Sequence, residues 1–159
     1  MGTWKLVDNA ILQIMRGNLS LSNATAGRYR IVFTYGGVYT NCQANVSVAD
    51  FINVGTGESN NYSGTGVTNA RPSLASVTLS VTDPTKPLWS SANVNVVVSG
   101  GTMDTNYAAI YDLASTDDVD GNTNIICIGD LGTQAVSDST NLVLDLSAGI
   151  LQGDDPNYP

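Results

Sequence analysis

The sequence predicts an all-β protein, a β-sandwich or jelly-roll-like barrel with one short N-terminal helix. Apolar and polar residues alternate with period two along several segments, which is typical of strands with one buried face. Gly-, Asn- and Pro-rich turn signals separate these segments at intervals of roughly a dozen residues. Thirteen of the fourteen acidic residues are Asp and only Glu58 is glutamate, which favours connections over helix faces.

The chain length fits one folded unit. Its 159 residues and 16.6 kDa predict a single β domain over residues 1–159, with roughly 70% of the unfolded surface buried on folding. The apolar runs are far shorter than the ~20 residues that a membrane helix needs. Residues 1–17 show neither a long apolar block nor a small-residue cleavage site, so we expect no secretory signal and no membrane partner.

The content of charged residues and of histidine argues against several classes of function. Fourteen acids against six bases give a net charge of −8, which argues against nucleic acid as a partner. Histidine is absent from the chain, which removes the commonest general base and transition-metal ligand. We therefore predict no catalytic residues, no cofactor and no metal site.

The first predicted element is a helix over about residues 7–16, beginning between Trp4 and Asp8. Gly17 provides a plausible stop. We expect the apolar stripe of this helix to pack on a sheet, with an exposed docking helix as the alternative. The stripe consists of Val7, Ala10, Ile11, Ile14 and Met15.

The period changes to two after the helix. Residues 29–35 predict a strand, and Gly36 and Gly37 offer the positive φ angles of a tight turn. Residues 38–48 also alternate and predict a long strand by periodicity. One helical turn over residues 48–52 is the alternative.

Residues 55–73 form a connection rich in Gly, Asn, Ser and Thr. It contains two Gly-Thr-Gly triplets, but neither completes a phosphate-binding GxGxxG pattern. Strand signals return afterwards, and Pro84 and Pro87 separate the first two. The remaining predicted strands cover residues 75–81, 92–99, 107–113, 125–128 and 142–146.

The stretch NYAAIYD at residues 106–112 leads into an acid-rich segment with Asp117, Asp118 and Asp120. We interpret residues 107–113 and 125–128 as a core hairpin and the acidic segment as its solvated tip, with Ile110 facing inward. A weak Ca²⁺ site is the alternative. A calcium loop of the EF-hand type is excluded, because Cys127 stands where its bidentate Glu belongs and the flanks are strands.

Cysteines and aromatic residues leave alternatives open. Cys42 and Cys127 lie in apolar or alternating runs, so we expect buried free thiols, with a disulfide as the alternative. Trp4, Trp89 and the seven Tyr residues suit either core positions or a sugar site, and scattered aromatics in a β protein favour the core.

An ordered series of short motifs resembles a widespread family of small tailed-phage virion proteins. The resemblance covers roughly residues 7–151. Leu131 departs from the aromatic residue that usually precedes Gly132 in that family, and residues 36–45 do not align. The motifs are MRGNLSL, YRIVFTY, YSGTGVTNARPSLASVTLSV, Trp89-Ser90, YAAIYD, IGDLG and LSAGIL.

The resemblance implies a non-enzymatic virion protein, and a short helix at residues 49–52 rather than a strand. The expected role is capsid decoration or a minor capsid protein on the outer surface of the shell, made in the host cytoplasm. Its partners would be the phage major capsid protein, other virion proteins and copies of itself. A tail- or fibre-associated module contacting the host surface is the alternative, and a carbohydrate-active enzyme a remote third.

We expect partner contacts at residues 55–73 and at a C-terminal arm, residues 152–159. Gly153 frees this arm, and its two prolines keep it out of a helix or central strand. An aromatic residue near its end is suited to a partner's pocket. The candidate partner-binding residues are Asp154, Asp155, Pro156 and Tyr158.

Overall fold

The computed structural model describes residues 4–16, 19, 21, 27–36, 47–67, 69–80, 88–113 and 125–152. Within these ranges the chain is mostly antiparallel β-structure with two short helices, so the all-β prediction is confirmed. The elements in order are β1 Trp4–Leu6, α1 Asp8–Met15, β2 Tyr29–Thr34, α2 Val48–Val54, β3 Thr78–Ser80, β4 Leu88–Ser90, β5 Val94–Val97, β6 Met103–Asp112, β7 Ile125–Val136, β8 Asn141–Leu144 and β9 Leu151–Gln152.

A four-stranded antiparallel sheet in the order β1-β7-β6-β2 holds the largest share of the buried residues among the described sheets. The central pair β6–β7 confirms the predicted core hairpin, with Ala109 opposite Ile128. Both strands extend beyond the predicted ranges. Their added ends are partly exposed and polar, and they therefore lack the apolar run from which the prediction was made. The predicted acidic tip, including Asp117, Asp118 and Asp120, lies outside the described residues.

Two smaller sheets complete the described strands, in the orders β3-β4-β9 and β5-β8. The predicted strands at residues 75–81, 92–99 and 142–146 are present in shortened form as β3, β5 and β8. Sequence periodicity missed β1, β4 and β9. Each of these has two or three residues, too few to display a period of two.

The N-terminal helix is confirmed as α1, but the chain at Trp4–Leu6 is a strand, so the helix begins at the late end of the predicted interval. The apolar stripe is only partly buried. Val7 and Ala10 are covered, whereas Ile11 is 41% and Met15 80% exposed. Since α1 is two turns long and packs mainly against β7, only one edge of the stripe meets the sheet.

The strand predicted from periodicity over residues 38–48 is wrong at its end, where α2 begins at Val48. Ser47 and Asp50 form a reciprocal capping box: the Ser47 hydroxyl accepts from the Asp50 amide, and the Asp50 carboxylate accepts from the Ser47 amide. These bonds satisfy amide groups that a strand would have needed to pair. Residues 37–46, including Cys42, lie outside the described part of the chain.

One hydrophobic cluster joins the sheets. Trp89 on β4 packs edge-on against Tyr29 on β2, with ring centroids 5.6 Å apart. The Trp89 indole N–H donates to the Leu21 carbonyl, so its polar atom is satisfied despite burial. Cys127 is a buried free thiol, and desolvation raises its pKa well above the ordinary value.

Ile110 has 0% exposure, as its predicted inward orientation requires. Truncating Ile110 to alanine removes buried methyl and methylene groups and leaves a cavity in the hydrophobic core. We therefore expect Ile110→Ala to reduce the free energy of unfolding by about 2–5 kcal/mol in a denaturant titration. Val97→Ala is the control, because Val97 is 49% exposed and we expect a change within about ±0.5 kcal/mol. Similar losses for both variants would contradict this packing.

Candidate binding surfaces

Residues 55–67 and 69–74, here called the strap, run along the outer edge of β2. The sequence predicted residues 55–73 as an irregular connection available to partners. Their backbone instead pairs with every second residue of β2 and with Tyr35. The bonds are Thr56 N–H to Tyr35 O at 2.9 Å, Ser59 N–H to Phe33 O at 2.9 Å, Ile31 N–H to Pro72 O at 2.9 Å and Leu74 N–H to Tyr29 O at 2.9 Å. The strap therefore closes an edge that would otherwise offer unpaired groups to another chain.

A buried ion pair joins the two ends of the strap. The Arg71 guanidinium donates from Nε and Nη2 to the two carboxylate oxygens of Glu58, at 3.0 and 2.7 Å. Arg71 has 0% exposed side chain and Glu58 11%. The Tyr62 hydroxyl also donates to Glu58. Burial, together with the negative charge of Glu58, raises the pKa of the Tyr62 phenol well above its ordinary value, so it stays a donor.

The strap contacts both faces of the main sheet. Tyr62 packs edge-on against Phe33 with ring centroids 5.1 Å apart. The Arg71 guanidinium lies 5.9 Å from the ring centroid of Tyr111. Phe33 pairs with Ala108 in the register, so Phe33 and Tyr111 belong to opposite faces by strand alternation. The strap therefore wraps around the edge of β2.

Gly64 permits a tight return of the strap on itself. It has φ +92°, and a Cβ at this position would lie 2.1 Å from the Ala70 carbonyl oxygen. Gly66 also has a positive φ, +72°, but open space surrounds its Cβ position. The second Gly-Thr-Gly triplet thus serves backbone geometry, at a close approach and at a left-handed residue.

A second ion pair accounts for the acid at the end of NYAAIYD. Asp112, with 1% exposure, accepts two bonds from the Arg28 guanidinium at 2.8 and 2.6 Å. This bidentate bond raises the pKa of Arg28. Arg30 binds the Gly27 and Arg71 carbonyls at 3.0 and 2.6 Å. Three of the chain's six bases are thus engaged within the fold, and two of them are in ion pairs that cancel their charge.

The outer side of the strap remains open to solvent. Val67, at 54% exposure, is its most exposed large apolar residue among those described. The prediction of a contact surface here therefore applies to one side of the strap only, since the other side is occupied by β2. The exposed strap residues are Thr56, Asn60, Ser63, Gly66, Val67, Asn69, Ala70 and Ser73.

A second open surface is a groove of about 380 Å³ between the main sheet and β8. Trp4 from β1 lies over Gly129, where three indole carbons would be 2.6–2.8 Å from an added Cβ. Only a glycine fits under this ring. Leu146 is nearly fully buried, and Val143 stands 58% exposed. Among the described residues the lining is Trp4, Leu131, Gln134, Leu142, Val143, Leu144, Asp145 and Leu146, here called the Trp4 groove.

The two polar side chains of the Trp4 groove are held locally. Gln134 donates from Nε2 to the Leu131 carbonyl at 2.9 Å. Asp145 accepts from the hydroxyl and the amide of Ser147 at 2.7 and 3.1 Å. Both bonds lower the pKa of Asp145, and the bond from the Ser147 hydroxyl has the larger effect. Its carboxylate is therefore ionised at the groove while remaining in contact with solvent.

The predicted partner-binding residues Asp154, Asp155, Pro156 and Tyr158 lie outside the described residues. Of the two tryptophans considered for a sugar site, Trp89 is buried in the core, whereas Trp4 lines the groove. No group of three or more potential metal ligands occurs in the described ranges. No helix within those ranges has the length and apolarity to cross a membrane.

Sequence reasoning expected partner contacts at residues 55–73, but it missed the pairing of the strap with β2 and it missed the Trp4 groove, although a signal for the strap ion pair was present. Glu58 and Arg71 are the only charged residues of the segment 55–73, and they pair with each other. A single acid and a single base in an otherwise neutral connection are consistent with a buried ion pair. The Trp4 groove left no comparable signal, because its lining combines Trp4, near the start of the chain, with residues of the segment 131–146.

Comparison of the chain with protein-family models, curated proteins and solved structures finds no match.

Alanine substitution of the two strap glycines distinguishes the free-energy cost of a steric collision from the cost of a left-handed backbone conformation. Gly66→Ala places a Cβ in open space and should cost about 1–2 kcal/mol for the left-handed residue. We expect Gly64→Ala to cost clearly more, since its Cβ also collides with the Ala70 carbonyl. Thermal unfolding of both variants measures the difference. Equal melting temperatures would show that the return at Gly64 is not as tight as described.

Removing one residue of the strap ion pair should show how far a buried unpaired charge lowers the free energy of unfolding. We expect Glu58→Ala to reduce the free energy of unfolding by about 3–5 kcal/mol, because Arg71 would remain buried without its carboxylate. The double variant Glu58→Leu with Arg71→Met should recover a large part of this loss. Denaturant titrations of the single and double variants check this. A single-variant loss below about 1 kcal/mol would mean that solvent already screens the pair.

Proposed function

We propose that the protein is a non-enzymatic structural component of a tailed-bacteriophage particle, most specifically a decoration or minor capsid protein that binds the outer surface of the shell. Two lines of support meet. The ordered motif series resembles small virion proteins of tailed phages. The Trp4 groove presents an indole and an exposed valine on a domain whose strap closes the β2 edge of the main sheet. An exposed apolar surface of this kind is typical of protein–protein contact.

The charge distribution supports the same role. The three arginines engaged within the fold leave few bases on the described surface, so attraction to a packaged genome is weak. Self-association belongs to the proposal. The exposed apolar residues Ile11, Leu12 and Met15 on α1 supply a surface for contacts between copies.

The proposal extends to the architecture. The sheets are arranged as a sandwich or jelly-roll-like barrel, with the β3-β4-β9 sheet opposite β2 and β6. Support comes from the edge-on contact of Trp89 with Tyr29 and from the hydrophobic cluster that includes residues of the main sheet, β4 and β5.

Copy number in purified virions distinguishes shell from tail. A protein that decorates the shell is expected on the order of hundreds of copies per particle, whereas a tail- or fibre-associated module is expected at about a dozen or fewer. Quantitative mass spectrometry against the major capsid protein gives this ratio. Absence from purified particles would contradict a virion role of either kind.

The C-terminal arm provides a direct test of attachment. We expect deletion of residues 153–159 to leave the melting temperature nearly unchanged and to weaken binding to undecorated shells, because an extended arm adds contacts to a partner without contributing to the core. Occupancy of shells at limiting protein concentration measures the effect. Equal occupancy of the truncated and full-length proteins would place the contacts in the folded body.

A further inference from the structure

The Trp4 groove carries a specific chemistry. Six of the eight described residues that line it are apolar, and Asp145 is the one charged residue among them. Lys5 is adjacent to Trp4 on β1, so strand alternation directs its side chain to the opposite face. A carboxylate and an indole that line the same groove, in a protein of net charge −8, favour a cationic group over an anionic one.

We propose that the Trp4 groove binds an arginine-bearing apolar segment of a partner protein. This inference rests on the proposed function and deepens it by naming the chemistry of the partner surface. The arginine guanidinium stacks on the Trp4 indole and pairs with the Asp145 carboxylate. The apolar neighbours of that arginine cover Val143 and the partly exposed Leu131 and Leu142.

The lining explains why the occupant is a protein segment. A small cation alone would leave Val143 and the partly exposed Leu131 and Leu142 in water. An arginine side chain has an apolar stem and a planar, weakly hydrated head, which suits both the apolar wall and the carboxylate. A volume of about 380 Å³ takes one such side chain with part of its flanking residues.

The negative charge of the groove also distinguishes an arginine-bearing segment from other ligands. An anionic ligand would face Asp145 and the overall negative field of the protein. A neutral sugar would use the indole and the carboxylate, but it would leave binding independent of ionic strength. Salt dependence therefore separates an arginine-bearing segment from a glycan.

The chain contains its own internal reference for the measurement. The two indole N–H groups give separate signals in a nitrogen-15 correlation spectrum. Trp4 lines the groove, whereas the buried Trp89 indole donates to the Leu21 carbonyl. We expect a blocked tripeptide with arginine between two leucines to shift the Trp4 signal saturably and to leave the Trp89 signal in place. The same tripeptide with neutral citrulline should bind more weakly.

Two acid-to-amide variants test the carboxylate. Asp145→Asn should weaken arginine-tripeptide binding about three- to tenfold, the range for one partly exposed ion pair with a cation–π contact. Asp138→Asn is the matched control: Asp138 is exposed, accepts a backbone N–H from Gly100 and carries the same charge, but does not line the groove. In the wild-type protein, added salt should weaken the arginine tripeptide and not the citrulline one. This comparison of the two tripeptides at different salt concentrations remains decisive if the Asp145→Asn variant unfolds.

Three results would overturn the groove assignment: no Trp4 shift at millimolar peptide, equal affinity for the arginine and citrulline tripeptides, or salt-independent shifts of Trp4 by maltose instead. Binding to undecorated shells then separates this inference from the proposed function. If wild type and Asp145→Asn bind shells equally, the groove assignment is wrong and the virion role survives. If the arginine tripeptide binds as expected but wild type does not bind shells, the virion role is wrong and the groove assignment survives.

Discussion

Pairing of the strap with the outer edge of β2 is the constraint on which the rest of the structure depends. β2 supplies Tyr29, Ile31 and Phe33 to the core, and its inner edge is fixed by β6. Without the strap, the outward backbone groups of β2 would be unpaired at the margin of an apolar sheet. The buried Glu58–Arg71 pair holds the strap, and its low solvent exposure makes the two residues dependent on each other.

This constraint shapes the surface that remains for partners. With the β2 edge closed, addition of a partner strand there is disfavoured. Partner contacts can instead use side-chain surfaces, and the described part of the chain offers the outer side of the strap, the exposed face of α1 and the Trp4 groove. Since Arg28, Arg30 and Arg71 are engaged within the fold, these surfaces carry mainly polar, apolar and acidic groups. That composition suits a protein partner better than a genome.

The sequence predicted the fold class and the central hairpin well, because Ala108–Tyr111 and Ile125–Ile128 form runs whose burial on both faces is visible as continuous hydrophobicity. It failed where local chemistry or distant contacts decide. The Ser47–Asp50 capping box overrode the alternation that predicted a strand, and the strands of two or three residues owe their existence to pairing rather than to pattern. The strap looked unstructured, since its order comes from backbone bonds to β2 and from one buried pair, neither of which produces an apolar period.

Native-state hydrogen exchange of the strap amides tests the central claim most directly. The N–H groups of Ser59 and Leu74 donate to β2, and that of Ile31 donates to the strap at Pro72. If the strap is an integral edge of the sheet, these three amides exchange only through the global unfolding that also exposes the β6–β7 amides, with the same free energy of opening. Exchange of all three at rates near those of a free peptide, while β6–β7 stay protected, would contradict the account and show the strap to be a detachable loop.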